Sequence, residues 1–472
     1  MKKIIKLILP LLFILIMTTG CSTSTKSPEK LLTKPNYNEE KALLNTGISK
    51  ILYQNVNLVF PENVKETGKI NYVDLDEDGK NEIVAFQKKE KINSDSKVGF
   101  LVLKEENDSY SFLEDGMILE KGDKIEYADF YDLDIDGHKE IIMQYKNPEG
   151  ISKIKVYSFK NNKVELKYRL NDVFNKNTVI EKGEDNTNTV QGIENKKIKI
   201  SYIDEDNSLD MVILGYNPNN RDLKVSLLKF NKENVVVKDV KTITDVNGIS
   251  EAYLSVGNIS SQEKGLILDL PIGKEGIVGT EVLMIKDSKF ITVASCKSPN
   301  MQKAYYVPIS DINNDNIIDI PSISANSSSF IDKAYAYITY YQWDGKLNND
   351  SNMYVIAQRY YNYQYNFKFC IPKNLYTVLS TEQRYESDKV IIKFKITDKN
   401  TGKSNVMFTI VVKPKVGNID DKQGLNKAKT PIQILDNEDY IYYMLVNDKK
   451  LMKKYNVNES DLKKCFSSAY EK

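Results

Sequence analysis

Short apolar runs separated by polar clusters recur along most of the chain. "EIVAF", "GFLVL", "EIIMQY", "DMVIL", "SLLKF" and "EVLMI" are all of strand length, some continuous and some alternating. Read in order, they form a unit that repeats: a strand, a polar loop, a second strand, then a hairpin. The hairpins are "GFLVLKEENDSYSFL", "KIKVYSFKNNKVEL", "KVSLLKFNKENVVV", "EVLMIKDSKFITV" and "YITYYQWDGKLN". Past about Tyr361 the repeat stops. "KVIIKFKITDK", "NVMFTIVVKP" and "DYIYYMLVND" continue as strands, and "NESDLKKCFSSAY" predicts a closing helix capped by Asn458 or Ser460. Near the other end, "NEEKALLNTGISKIL" predicts a short helix before a lead-in strand.

The loops keep step with the strands. "NYVDLDEDGKNEIVAF" from Asn71 is echoed by "FYDLDIDGHKEIIMQY" from Phe130 and by "SDINNDNIIDI" from Ser310. Weaker echoes are "SYIDEDNSLDMVIL" from Ser201 and "GNISSQEKGLILDL" from Gly257. Their first loop positions, 74, 132, 202, 258 and 311, lie 58, 70, 56 and 53 residues apart. A four-strand unit cannot bury its own face and must stack on its neighbours. The expected fold is therefore mainly β, a β-propeller of about five recognisable blades over 60–360, with a small C-terminal α+β domain over 361–472.

The loops carry the chemistry. Oxygen ligands at positions 1, 3, 5 and 9, with a backbone carbonyl at 7 and a turn-permitting residue at 6, can wrap one hard cation. In the first loop these are Asp74, Asp76, Asp78, the Lys80 carbonyl and Glu82; in the second, Asp132, Asp134, Asp136, the His138 carbonyl and Glu140. The loop from Ser310 offers Asp311, Asn313, Asp315, the Ile317 carbonyl and Asp319, and a poorer set is Asp204, Asp206 and Asp210. At Asn258, Ser260 and Gln262 no ion is expected. All-oxygen ligation in a flexible loop favours calcium over magnesium or zinc, so two to four structural Ca2+ ions are expected. An EF-hand is excluded, because position 12 is Ala85 or Met143 and the flanks are strands.

DxDxDGxxE between two strands resembles the FG-GAP/VCBS-type repeat of integrin α-subunit propellers and many bacterial surface proteins. The resemblance covers roughly residues 60 to 350, and it implies the propeller fold and calcium-holding loops. At the start of the chain, Lys2, Lys3 and Lys6 precede an apolar stretch from Leu7 to Met17 and then Thr18-Thr19-Gly20-Cys21. That stretch is too short to span a bilayer as a helix and reads as an export signal. Its end resembles the lipobox of bacterial lipoproteins, with Thr18 where the family prefers Leu. Residues 1–21 are thus expected to be a lipoprotein signal ending at the lipidated Cys21, 22–36 a flexible tether, and 37–59 the lead-in helix and strand. With these features the chain is similar to VCBS-repeat lipoproteins of low-GC Gram-positive bacteria, on the extracytoplasmic face of the membrane.

Composition adds mostly exclusions. Lys and Arg total 66 against 65 Asp and Glu, a formal net charge of +1, which gives no field for nucleic acid. Cys296, Cys370 and Cys465 cannot all pair internally, so this is no disulfide scaffold. The lone His138 is predicted to use its backbone, no G-x-S-x-G elbow is present, and no phosphate-binding glycine loop is present, so no catalytic residue is assigned. Tyr335, Tyr337, Tyr340, Tyr341, Trp343, Tyr360, Tyr361, Tyr363 and Tyr365 are read as sheet packing, with a binding surface as the competing use. The expected function is a calcium-stabilised binding or scaffold module for a surface protein or glycan, anchored to the membrane by lipid. The alternatives are an extracellular hydrolase or its accessory subunit, or a solute-handling lipoprotein.

Overall fold

The computed structural model describes Ile48, Leu52 and residues 56–470, except 64–66, 91–95, 107–108, 184–192, 194, 205, 274–275, 324–334, 348–352, 387, 399–400 and 416–429. The expected signal segment with Cys21, the tether 22–36 and most of the lead-in segment 37–59 lie outside the described residues. Residues 1–57 and 58–472 form two separate compact units. The second is mainly β and builds antiparallel sheets in chain order. Among the described residues no helix is long and apolar enough to cross a membrane.

In the first sheet Ile70–Val73, Glu82–Lys89, Lys97–Glu106 and Ser109–Lys121 pair in sequence. The second sheet repeats this with Lys124–Tyr131, Glu140–Lys146, Ser152–Lys160 and Lys163–Arg169. The third uses Asn195–Ser201, Asp210–Asn217, Asp222–Phe230 and Asn234–Ile243, with Val179–Glu181 added at its edge. The fourth uses Tyr253–Asn258, Lys264–Pro271, Val278–Lys286 and Lys289–Ala294, and Gln302–Lys303 also joins its third strand. In the fifth the leading strand shrinks to a single bridge, Ser310 to Asp319. Ile320–Ser322, Tyr335–Trp343, Met353–Asn362 and Phe367–Cys370 follow, so this sheet runs past residue 360.

The hairpin of each repeat carries a register irregularity at the same place: near Leu101, Val156, Leu227, Val282 and Tyr340. Such bulges sharpen the twist of a strand pair. Their recurrence shows that the five units share one local geometry, including the unit whose loop has lost its acids.

The second strand of a repeat reads as a continuous apolar run because both its faces are covered. Ile141 and Met143 enter the core shared with the first sheet, while Ile142 enters the core shared with the third. Val212 and Leu214 face the fourth sheet, and Met211 and Ile213 face the second. Ile267 turns toward Ile320 and Trp343 of the fifth sheet. Each such side chain contributes about 1.5–3 kcal/mol by leaving water, and a one-residue slip would exchange the two cores.

A sixth sheet joins Leu379–Tyr385, Val390–Thr397, Ser404–Pro414, Tyr440–Val446 and Ile432–Asp436 in that pairing order. Its Phe394, Phe408 and Tyr442 share one core with Tyr360, Phe367 and Phe369 of the fifth. Of the tyrosine-rich stretch, Tyr360 is buried in this core, Tyr340 and Trp343 are buried in two others, and Tyr337, Tyr341, Tyr361, Tyr363 and Tyr365 are half-buried. The predicted closing helix is shorter than expected. It spans Glu459–Lys464, with Asn458 accepting from the Asp461 N–H at 2.9 Å, and Phe466–Ser467 then becomes a strand paired with Phe367–Cys370. The physical reason is Phe466, which stacks on Phe369 at 4.5 Å between centroids. A second helix, Lys449–Lys454 capped by Asp448, precedes it.

Candidate functional site

Each acidic loop is shaped first by its own backbone. Positions 4 and 6 take positive φ: Glu77 and Gly79, Ile135 and Gly137, Asn314 and Asn316. Gly and Asn are the residues that tolerate this at position 6, which is why Asn316 can replace glycine there. The turn then points N–H groups at the carboxylates. Gly79 and Gly137 donate to Asp74 and Asp132, both at 3.1 Å, and Asn316 donates to Asp311 at 2.8 Å. Lys80, His138 and Ile317 donate their N–H to Asp78, Asp136 and Asp315 at 2.8, 3.0 and 2.9 Å. The ninth ligand closes the loop from the strand behind. Glu82, Glu140, Asp210 and Asp319 accept from the N–H of Leu75, Leu133, Ile203 and Ile312 at 2.9, 2.9, 3.0 and 2.7 Å.

Among the described residues the structure brings Asp74, Asp76 and Asp78 within reach of one common ion, and likewise Asp132, Asp134 and Asp136, but not the acids of the loops at Asp204 and Asp311. It also inserts a group that the sequence reading did not consider. Lys104 Nζ lies 2.9 Å from Asp76, 3.4 Å from Asp78 and 3.6 Å from Glu82. Lys167 Nζ lies 2.8 Å from Asp134 and 2.6 Å from Glu140. Lys229 Nζ touches all three acids of its loop, Asp204, Asp206 and Asp210, at 3.1, 2.8 and 2.6 Å. In the loop from Ser310 the corresponding group is neutral. There the Gln342 amide donates to both Asp315 oxygens, at 3.1 and 2.9 Å, and accepts from the Tyr354 hydroxyl at 2.9 Å.

The electrostatics follow from burial set against these partners. Burial pushes Glu140 up to about 7 despite Lys167, and Asp319 up to about 6. Glu82 is raised for the same reason. Burial also opposes ionisation of Asp206, but Lys229 and the Ser208 groups hold its carboxyl below the usual range. Asp74 Oδ1, Asp76 Oδ1, Asp134 Oδ1 and Asp319 Oδ1 are buried and accept no hydrogen bond. Such oxygens fit a hard cation.

A second feature lies on the leading strands. A cavity of about 840 Å³ is lined by the first strands of the second, third and fourth sheets. Five lysines line it, Lys124, Lys146, Lys196, Lys197 and Lys199, against three carboxylates, Glu62, Glu126 and Asp129. Most of these charges are engaged. Lys124 pairs with Glu62 at 2.7 Å, and Lys197 donates to the Ser250 and Ala252 carbonyls at 3.1 and 2.6 Å. Gln144 donates to Glu126 at 2.9 Å, and Ser152 also donates to Glu126. The ammonium of buried Lys196 donates to the Ser152 carbonyl at 3.0 Å, its one hydrogen bond among the described residues, and burial pushes its pKa down to about 8. Lys199 has no hydrogen bond or ion pair among the described residues. Tyr253, on the cavity wall, is half exposed and stacks on Tyr306 at 4.0 Å. The alternating lysines of "NKKIKIS" were the available sequence signal for this basic wall.

No family model matches the chain, and no curated protein is similar to it. A solved structure, described as the protein from Lactobacillus plantarum, is similar over 71% of this chain and 89% of that one. Its identity is 7% and its TM-score 0.28, a likeness that carries no argument about function.

Proposed function

We propose that this chain is a cell-surface binding module that takes an acidic glycan into the cavity on its leading strands. The observation that carries this reading is the cavity wall itself: five lysines, one of them without a partner, beside an exposed tyrosine stack. Sugars bind well to aromatic faces, and an unpaired ammonium favours a carboxylate or phosphate on the sugar. The scaffold is a propeller-like β-fold whose blades are the four-stranded repeats. That reading is supported by their chain-order packing and by the recurring hairpin irregularity. Lipidation at Cys21 would hold the module on the extracytoplasmic face of the membrane. The acidic loops serve as structural cation clamps, filled by calcium or by an ammonium, and no catalytic step is assigned to them.

The test is calorimetric titration of the full chain in detergent micelles with an oligogalacturonate and with its neutral methyl ester. The acidic probe should bind and weaken as salt rises, since the contact is partly ionic. Lys199→Glu should weaken it at least tenfold, the effect of losing one charge-assisted hydrogen bond of about 1.5–3 kcal/mol. Equal binding of the neutral probe, or no change in the Lys199 variant, would remove the cavity from the account.

A further inference from the structure

Three cysteines lie among the described residues, and the fold treats one differently from the other two. Cys296 is fully buried in the core between the third and fourth sheets, whereas Cys370 and Cys465 are half-buried. The last strand, Phe466–Ser467, runs antiparallel to Phe367–Cys370, with Ser467 opposite Lys368 and Phe466 opposite Phe369. One further step in that register sets Cys465 opposite Cys370. The backbone makes the step, since the Cys370 N–H donates to the Cys465 carbonyl at 2.8 Å. Residues facing each other across an antiparallel pair have Cα atoms about 4.5–5.5 Å apart, within the roughly 4.4–6.8 Å that a disulfide spans. The electrostatics agree with this closeness. Burial and then Cys370 push the Cys465 thiol up, and both cysteines add to the rise that burial gives the Tyr376 hydroxyl.

We propose that Cys370 and Cys465 are a disulfide site, oxidised by an external disulfide, and that the bond latches the C-terminal segment to the fifth sheet. One thiolate attacks the external disulfide, forms a mixed disulfide with it and releases a first thiol. The other thiolate attacks the protein sulfur of that intermediate, closes the Cys370–Cys465 bond and releases a second thiol. Two protein thiols are oxidised, the external disulfide is reduced, and the two protons pass to the released thiols. The closed loop runs through residues 371–464 and so contains the whole sixth sheet and both C-terminal helices. Without the bond, the last strand is held by its short pairing and by Phe466 on Phe369.

The experiment takes the reduced full chain in detergent micelles and exposes it to oxidised glutathione. Remaining thiols are alkylated in denaturant, and the chain is digested with trypsin without reductant. The expected product is residues 369–373 joined to residues 465–472, lighter by two hydrogens than the separate peptides, with Cys296 alkylated. By calorimetry the oxidised protein should melt about 5 °C above the reduced one, the effect of removing the entropy of so long a loop from the unfolded state of residues 58–472. Cys370→Ser and Cys465→Ser should each lose that shift, and Cys296→Ser should keep it. Glutathione adducts or alkylated thiols at Cys370 and Cys465, with no joined peptide, would overturn the site. A joined peptide that leaves Tm unchanged would overturn the latch.

Discussion

Replacing Lys229 with methionine removes a cation and keeps most of the apolar stem. In the folded protein this lysine is nearly buried and contacts Asp204, Asp206 and Asp210 at 2.6–3.1 Å. Removing one partner of a buried ion pair costs about 3–5 kcal/mol, since the other charge stays behind. Protonation caps that cost. Neutralising one carboxylate with an ordinary unfolded-chain pKa near 3.9 costs about 1.36 kcal/mol for each pH unit above it. The cap is therefore roughly 4 kcal/mol at pH 7 and roughly 1.5 kcal/mol at pH 5. With about 2.1 cal/mol/K of unfolding entropy per residue, spread over residues 58–472, 4 kcal/mol corresponds to about 4–5 °C in Tm. Differential scanning calorimetry without divalent ions should show that deficit at pH 7 and less than half of it at pH 5. Millimolar calcium should recover much of it in the variant, while the parent's own calcium response serves as the reference. A deficit below 1 °C at pH 7, or one that grows toward pH 5, would refute the reasoning.

Lys196 offers a pH-dependent prediction of opposite sense. Burial lowers its folded pKa to about 8 from 10.5, so between those values the unfolded chain binds the extra proton and stability rises with pH. Below pH 8 the full cost is present, on the order of 3 kcal/mol. Lys196→Met should therefore melt above the parent at pH 7, and the gap should shrink between pH 8 and pH 10.5; a constant gap would contradict this. Phe466→Ala removes a buried ring stacked on Phe369 and should cost about 3–5 kcal/mol, read as a lower urea midpoint. It should also make the segment after Lys464 the first site of proteolysis, and an unchanged cleavage pattern would show that the last strand is not held by this ring.

Much of the architecture was legible before any coordinates. The second strands announced themselves as continuous apolar runs, because residues such as Ile141 and Ile142 are both buried, in different cores. The acidic loops were legible because the acids alternate and Gly79 and Gly137 mark the turn at position 6. The lysines were not, since strand pairing brings each to its loop acids from about 20 or more residues away. A partial signal existed: Lys104 and Lys229 both follow two apolar residues in "LVLK" and "SLLK". Lys167 escapes even that rule, because it comes from the fourth strand, as the residue skipped where the register shifts between Val156 and Tyr157. At the C-terminus helix propensity predicted too much helix; a local capping signal at Asn458 cannot reveal that Phe466 has an aromatic partner almost a hundred residues earlier.

The measurement that bears most directly on the account is a crystal structure of the chain grown with the oligogalacturonate. The account predicts the saccharide in the cavity formed by the leading strands, with a carboxylate on Lys199 and a sugar face against Tyr253. Saccharide density elsewhere on the molecule, with that cavity holding only water, would contradict it.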